Sequence, residues 1–190
     1  MSLRVSGGRR LRSPKGDVAR PTSSRVRLAV INLLGARLAG ARWLDLCSGS
    51  GAMACEALQH GVAEVVAVER DRRIAAVARA NLEAVRGGLP GEKGDQGPRV
   101  RVDAEDVLRW LKRPCSTPFD LIYADPPYAA GLYAPIAAAV LRGSWLAPRG
   151  LLVWECASDA VPVMPPGWQR RDQRRYGGST VLLLESVPLE

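Results

Sequence analysis

Two short stretches of the chain carry residue types and spacings that can do chemistry. The first is Asp125-Pro126-Pro127-Tyr128, which follows the apolar run Phe119–Ala124 (FDLIYA). A carboxylate next to a proline carbonyl provides two hydrogen-bond acceptors. Together they can hold both N–H groups of an exocyclic amine on a nucleobase and free a lone pair otherwise delocalised into the ring. The prolines fix φ and remove a backbone donor that would compete at the same place. Tyr128 offers a π-face on which a flipped or unpaired base can stack. Catalysis of this kind is positioning plus electrostatics, with no covalent intermediate. Tyr123 and Tyr133 flank the motif and are expected to be packing or surface residues.

The second stretch is Asp45-Leu46-Cys47-Ser48-Gly49-Ser50-Gly51. Gly49 and Gly51 allow a tight turn and close approach of a ligand to the backbone. With Ala52, Met53 and Ala54 they also satisfy the GxGxxA dinucleotide fingerprint. Taken alone, this segment leaves a purely structural glycine turn open. Asp45 changes the reading, because a carboxylate at a strand end repels a pyrophosphate and attracts a cationic amino acid. S-adenosylmethionine, with an ammonium and a sulfonium, suits it better. Glu69, at the end of the run Glu64–Glu69 (EVVAVE), is placed to accept from ribose hydroxyls, as does the acid about 20 residues on in such folds. Its alternative is an ordinary surface carboxylate. Asp103 could accept from an adenine amine while the Ala104 amide meets the ring edge.

These residues need strand ends to hold them, and the pattern supplies strands. Arg42–Leu46, Glu64–Glu69, Val100–Val102, Phe119–Ala124 and Leu151–Glu155 read as strands, with a closing hairpin at Trp168–Tyr176 and Thr180–Glu185. Helices are expected between them. Thr22-Ser23-Ser24 starts one, with Val26, Val30, Leu33, Leu34 and Leu38 along its apolar side. Another runs from the glycine turn to about Gln59, and a third is capped by Asp71, with Ile74, Val77, Ala78, Leu82 and Val85 on one face. Further helices are expected at Glu105–Lys112 and Pro135–Leu146. Gly87–Pro98 reads as a loop insertion. Alternating strands and helices give a parallel α/β sheet covered on both faces, with ligands at the carboxyl ends of its strands. Residues 1–20 form a basic arm or hairpin, and 21–190 a single α/β domain.

The 190 residues are 47% hydrophobic and 24% charged, the balance of an ordinary globular domain. The longest uncharged apolar runs, such as Leu28–Ala36, fall far short of a membrane span. Four cysteines without a CxxC pair, and a single His, suggest neither a zinc site nor a secreted disulfide framework. The N-terminus has no apolar leader core, so a reducing cytoplasm is the expected home, although an Arg-rich, acid-poor start also suits a transit peptide. The net charge is +8, and residues 1–27 hold eight basic side chains against Asp17 alone. A second cluster comprises Arg170, Arg171, Arg174 and Arg175 against Asp172. Such runs can be mere solvated faces. Here Arg outnumbers Lys, and its planar fork suits bidentate phosphate contact, so a polyanionic partner is expected.

With these residues in place, the chain resembles the RsmD family of bacterial small-subunit rRNA methyltransferases, which make N2-methylguanine in 16S rRNA from S-adenosylmethionine. The matching stretches are Arg4–Arg10 (RVSGGRR), Arg20–Arg27 (RPTSSRVR), Asp45–Leu58, Val68–Asp71 (VERD), Asp125–Tyr128 with Gly131 and Tyr133, and Tyr176–Leu184 (YGGSTVLLL). The resemblance implies a Rossmann-like, seven-stranded class I methyltransferase sheet, mostly parallel, with an antiparallel strand from the last hairpin. It implies catalysis at Asp125, Pro126, Pro127 and Tyr128. Cofactor contacts are expected at Asp45, Cys47, Ser48, Gly49, Gly51, Glu69, Arg70, Asp103, Ala104 and Asp125. Contacts to 16S rRNA, in a partly assembled subunit, are expected at Arg4, Arg9, Arg10, Arg12, Lys15, Arg20, Thr22 and Arg25. The expected product is S-adenosylhomocysteine, and the expected state is a monomer.

The chain departs from the family pattern at Leu28, where an acid is usual, and at Cys47-Ser48, where an aromatic-small pair is usual. Neither change removes a group the chemistry requires. The competing readings are N6-adenine methylation of DNA, which uses the same D-P-P-aromatic logic, and a non-catalytic rRNA-binding assembly factor. Protein glutamine methylation fits less well, because that family carries Asn where this chain has Asp125.

Overall fold

The apolar runs are strands. A computed structural model describes residues 3–14, 23–89 and 97–187. It contains β1 (Arg42–Leu46), β2 (Glu64–Glu69), β3 (Arg99–Ala104), β4 (Phe119–Ala124), β5 (Leu146–Ala157), β6 (Trp168–Tyr176) and β7 (Ser179–Ser186). They form one seven-stranded sheet in the order β3-β2-β1-β4-β5-β7-β6. The first five strands are parallel, and β7 runs antiparallel between β5 and β6. The chain moves outward in one direction from β1 to β3, then crosses back to β4. That reversal opens a crevice at the carboxyl ends of β1 and β4, where open α/β sheets bind ligands.

Helices α1 (Ser24–Leu34), α2 (Ala52–Gln59) and α3 (Arg72–Arg86) cover one face, while α4 (Val107–Trp110) and α5 (Tyr133–Arg142) cover the other. Strand alternation divides the core accordingly. Trp43, Val65, Leu121 and Val153 face the first group of helices, and Leu44, Val66, Ile122 and Leu152 face the second. Asp45 lies between Leu44 and Leu46 and so points toward α2. Caps set the helix starts. Ser23 Oγ accepts from Val26 N, and Asp71 Oδ1 accepts from Arg73 N and Ile74 N.

Several expected boundaries move, among them β3, which runs Arg99–Ala104 rather than Val100–Val102. The helix expected at Glu105–Lys112 shrinks to Val107–Trp110, because Asp106 is its N-cap, its side chain accepting from Arg109 N, and the chain turns before Pro114. The helix expected at Pro135–Leu146 is Tyr133–Arg142. Pro135 falls in its first turn, where a missing N–H costs nothing, and Gly143 ends it. Leu146 instead begins β5, far longer than the expected Leu151–Glu155. Leu38 lies beyond α1, after a short 3-10 turn at Gly35–Arg37, yet is still buried.

The basic N-terminal segment folds back on the body as a small hairpin. Arg4 and Arg10 form an antiparallel bridge, Val5 N donates to Arg9 O, and Leu11 N donates to Leu3 O. Val5 and Leu11 are buried in the core beneath α1–α3. Polar clamps complete the docking. Ser6 donates its N–H and its hydroxyl to Glu56 Oε2 on α2, while Arg27 Nε donates to Glu56 Oε1 and Arg27 NH2 to Arg4 O. The arm–domain boundary at 20/21 and most of the Gly87–Pro98 loop lie outside the described residues. Among the described residues, no helix is long and apolar enough to cross a membrane.

Candidate active site

The glycine turn is built from left-handed backbone. Cys47 (φ +62°), Gly49 (+53°) and Gly51 (+75°) alternate with ordinary residues, so the chain leaves β1 and enters α2 within five residues. Ser48 N donates to Val68 O and Gly51 N to Ser48 O, tying the turn to β2. At Gly51 a Cβ would sit 3.2 Å from the Ala78 Cβ, so the close approach of α3 also requires glycine. At Gly49 a Cβ would meet nothing within 4 Å, so only the backbone angle requires glycine there.

Three carboxylates converge on this turn from three strand ends. Asp45 is 1% exposed and accepts from Ala54 N in the first turn of α2 at 3.1 Å. Glu69 Oε2 accepts from Gly49 N at 3.0 Å, and its Oε1 accepts from Asp71 N. Asp125 follows β4, the strand paired with β1. Burial raises the Asp45 carboxyl well above its usual range; the Ala54 N–H opposes this in part, while Asp125 and Glu69 raise it further. The Cys47 thiol, between the same acids, is pushed up to about 12 by burial first and then by Glu69, Asp45, Asp125 and Asp106. A buried group of like charges favours a cation, which would relieve both repulsion and desolvation. Among the described residues, no cluster of His, Cys, Asp and Glu is arranged to hold a metal ion.

Ser48 Oγ is buried with no hydrogen-bond partner among the described residues. An orphaned hydroxyl in a turn rimmed by acids fits a polar, positively charged ligand such as the amino-acid end of S-adenosylmethionine. Beyond Asp125, Pro126 is buried, Pro127 is exposed, and Tyr128 begins a single 3-10 turn with its side chain 45% exposed. Burial and the neighbouring Asp125 raise the Tyr128 hydroxyl, so it stays neutral. Behind them, Tyr123 OH donates to Glu155 Oε2 and Tyr133 OH donates to the Glu155 carbonyl. Both flanking tyrosines are therefore packing residues.

The remaining sequence-derived positions are distributed as follows. Asp103 ends up engaged within its own chain. It accepts from the Trp110 indole at 2.6 Å, pairs with Arg101 at 2.8 Å and faces Arg113 at 3.6 Å. Ala104 and Arg70 are exposed beside it and beside Glu69. Arg4 NH1 donates to Gly8 O, within the hairpin. Arg9 lies across Gly88 at the end of α3, while Arg10, Arg12 and Arg25 are exposed. Lys15, Arg20 and Thr22 lie outside the described residues.

Sequence reasoning missed three residues that tie these parts together. Asn81, 2% exposed, accepts from Arg12 N and donates to both Arg12 O and Ser50 O, linking the hairpin directly to the glycine turn. Glu56 and Glu155 are the buried acids that hold the hairpin and the two tyrosines. The available signal was a single polar residue on an otherwise apolar face, as Asn81 is between Ala78 and Leu82.

A family model described as "Conserved hypothetical protein 95" matches residues 4–185. The chain is 28% identical over 180 residues to "Ribosomal RNA small subunit methyltransferase D" of Escherichia coli K12, covering 92% of this chain and 85% of that one. Its fold is similar to the solved structure of "Putative methyltransferase yhhF from Escherichia coli", with a TM-score of 0.79, 27% identity and 98% of each chain covered. It also shares a fold with "SMU.776, a putative methyltransferase complexed with SAH", at a TM-score of 0.63 and 19% identity, covering 85% of this chain and 48% of that one.

Proposed function

This chain belongs to the conserved hypothetical protein 95 family, the RsmD family, and we propose that it transfers a methyl group from S-adenosylmethionine to the exocyclic N2 amine of a guanine in 16S rRNA. The observation that carries the reading is the convergence of Asp45, Glu69 and Asp125 on a glycine turn at the reversal point of the sheet, with Tyr128 exposed beside them. The relatives named as rRNA methyltransferases supply the substrate class.

When bound, S-adenosylmethionine supplies an electrophilic methyl group on its sulfonium. The chain's own residues do the rest. Asp45 and the orphaned Ser48 hydroxyl receive the amino-acid end, and the Gly49 and Gly51 backbone allows close approach. Glu69 accepts from the ribose hydroxyls, with Cys47 and Arg70 alongside. Asp103 and Ala104 border the adenine. Because the Asp103 carboxylate is already engaged by Trp110 and Arg101, its contribution to adenine is the position of the β3 end more than a free acceptor.

At the acceptor, Tyr128 stacks the guanine, and the Asp125 carboxylate and Pro126 carbonyl hold its two N–H groups. The N2 lone pair then lies toward the methyl. The methyl would pass from the sulfonium to N2, leaving a neutral thioether, and the proton shed by the cationic nitrogen would leave to solvent past the Asp125 carboxylate. Pro127 keeps the backbone of the motif in its extended bend. We assign residues 1–20 as an RNA-engaging arm on a methyltransferase domain spanning 21–190. The protein acts as a cytoplasmic monomer on a partly assembled small subunit.

Asp125→Ala separates binding from chemistry. It should weaken S-adenosylhomocysteine binding, read as a thermal shift, far less than it slows turnover. It should cut turnover on unmethylated small subunits roughly 100-fold or more, the scale for losing one preorganised group. Unchanged turnover would sink the assigned mechanism. A wild-type protein showing no thermal shift would sink the cofactor assignment itself.

A further inference from the structure

The second basic cluster lies on β6, the exposed edge strand of the sheet. Arg170, Arg171, Arg174 and Arg175 are all exposed. Two of them are compensated, since Arg171 pairs with Glu185 at 3.3 Å and Arg174 with Asp172 at 3.2 Å. Arg170 instead donates to Gln173 Oε1 and Arg175 to Gly177 O, and among the described residues neither is ion-paired.

Five residues apart on a regular strand, Arg170 and Arg175 would point to opposite faces. A bulge between Arg170 and Asp172 adds one residue to β6. Arg170 then sits opposite Leu184 and Arg175 opposite Thr180, four residues apart on β7 and therefore on the same face. The bulge thus brings the two uncompensated guanidinium groups onto one side, with Gln173 between them. The strip also leads to the candidate site. Tyr176, at the end of β6, pairs with Ser179, and the Ser179 side chain meets that of Tyr128.

Charged side chains on an edge strand can serve simply to block pairing with another sheet edge. That purpose needs no particular sign, no Arg in place of Lys, and no alignment of the unpaired charges on one face. All three are present here, and the aligned charges end beside the residue that stacks the base.

We propose that the β6 edge is a second phosphate-contact surface, on which the RNA backbone flanking the base at Tyr128 is held by Arg170 and Arg175. This rests on the RNA-methyltransferase reading above. The hairpin and β6 would then grip the substrate from opposite sides of the crevice, with polyphosphate contact supplying affinity and the acidic site supplying chemistry.

The test is retention of protein-free 16S rRNA by the full-length chain, measured over a range of salt concentrations. The comparison includes wild type, R170E/R175E and R9E/R10E. Arg→Glu keeps the edge charged, so its protective role survives while phosphate contact is lost. R170E/R175E should weaken binding about tenfold, the scale for two exposed contacts. It should also flatten the log–log salt slope by about 1.5–2, close to one unit per lost contact. Its thermal shift with S-adenosylhomocysteine should match wild type, which shows that the variant is folded. R170K/R175K should retain most of the salt slope. If R170E/R175E is not folded by that measure, R170A/R175A takes its place, with a smaller loss of the same sign expected. Wild-type affinity and slope in the reversed or alanine variant, alongside a weakened R9E/R10E, would overturn the β6 surface and leave the RNA reading standing. A wild-type protein with no salt-dependent retention of rRNA would overturn both.

Discussion

Replacing Glu56 by alanine should unfasten the N-terminal hairpin from the body of the protein. Glu56 and Arg27 are each 1% exposed, with Nε and Oε1 3.3 Å apart. The other carboxylate oxygen accepts from Ser6 N at 3.1 Å and Ser6 Oγ at 2.7 Å. Alanine removes all three contacts and takes the carboxylate away from the buried Arg27, which keeps its bond to Arg4 O. Breaking a buried pair from one side costs about 3–5 kcal/mol, a large share of the roughly 5–15 kcal/mol that holds a domain folded. For a chain of this size, about 2–4 °C per kcal/mol gives a fall in Tm of roughly 6–20 °C. Circular dichroism reads the melting, and amide exchange reads the hairpin directly. The Val5 and Leu11 amides, bonded to Arg9 O and Leu3 O, should lose protection before β1 or β4 does. Arg27→Met with Glu56→Leu should recover most of the stability, because it removes both buried charges of the pair rather than one. An E56A protein that melts within about 1 °C of wild type with a fully protected hairpin would refute the reasoning.

Asp45 ties cofactor binding to pH. Burial raises its carboxyl above the unfolded value near 3.8. The stability contributed by the protonated form is therefore fully present below the unfolded pKa and lost as pH rises through the higher folded value. A cationic ligand favours the ionised form, so binding within that window should release a proton. Calorimetry of S-adenosylmethionine binding in buffers of different ionisation heat should detect that proton, and Asp45→Asn should abolish it. The two glycines of the turn should differ. Gly49→Ala should cost about 1–2 kcal/mol from its left-handed backbone alone, whereas Gly51→Ala also meets Ala78 at 3.2 Å and should cost more, as read by denaturant midpoints. Cys47, with its thiol pushed up to about 12, should resist alkylation at pH 8, while Cys115, raised only modestly and partly open to solvent, reacts first. Mass spectrometry of iodoacetamide-treated protein gives the order.

Strands β1, β2 and β4 were legible to the residue, because strands buried on both faces are mainly apolar between turn residues, with a single acid inside β1 (Asp45) and inside β4 (Asp120). The acids of the candidate site were legible for a related reason: Glu69 and Asp125 stand where an apolar run stops, and Asp45 stands one residue before the end of β1. The end of α5 and the start of β5 were not, since Leu146 belongs equally well to an apolar helix face or to a strand, and Gly143 decided between them. Glu56 and Asn81 were hidden more deeply. Their partners Ser6 and Arg12 lie 50 and 69 positions away, and local spacing cannot show a contact made only after α2 and α3 pack. Arg27 shows the same limit. In the sequence it is one of the eight basic side chains of residues 1–27, yet it is buried against Glu56.

Methylation of rRNA by this chain is read most directly as transfer of radiolabelled methyl from S-adenosylmethionine, offered unmethylated small subunits, protein-free 16S rRNA, duplex DNA and no acceptor, with nucleoside analysis of the product. The expected result is label in N2-methylguanosine from 16S rRNA and none from DNA, with Asp125→Ala close to background. Label recovered as N6-methyladenine from DNA, or no transfer to any acceptor by a protein that binds S-adenosylhomocysteine, would contradict it.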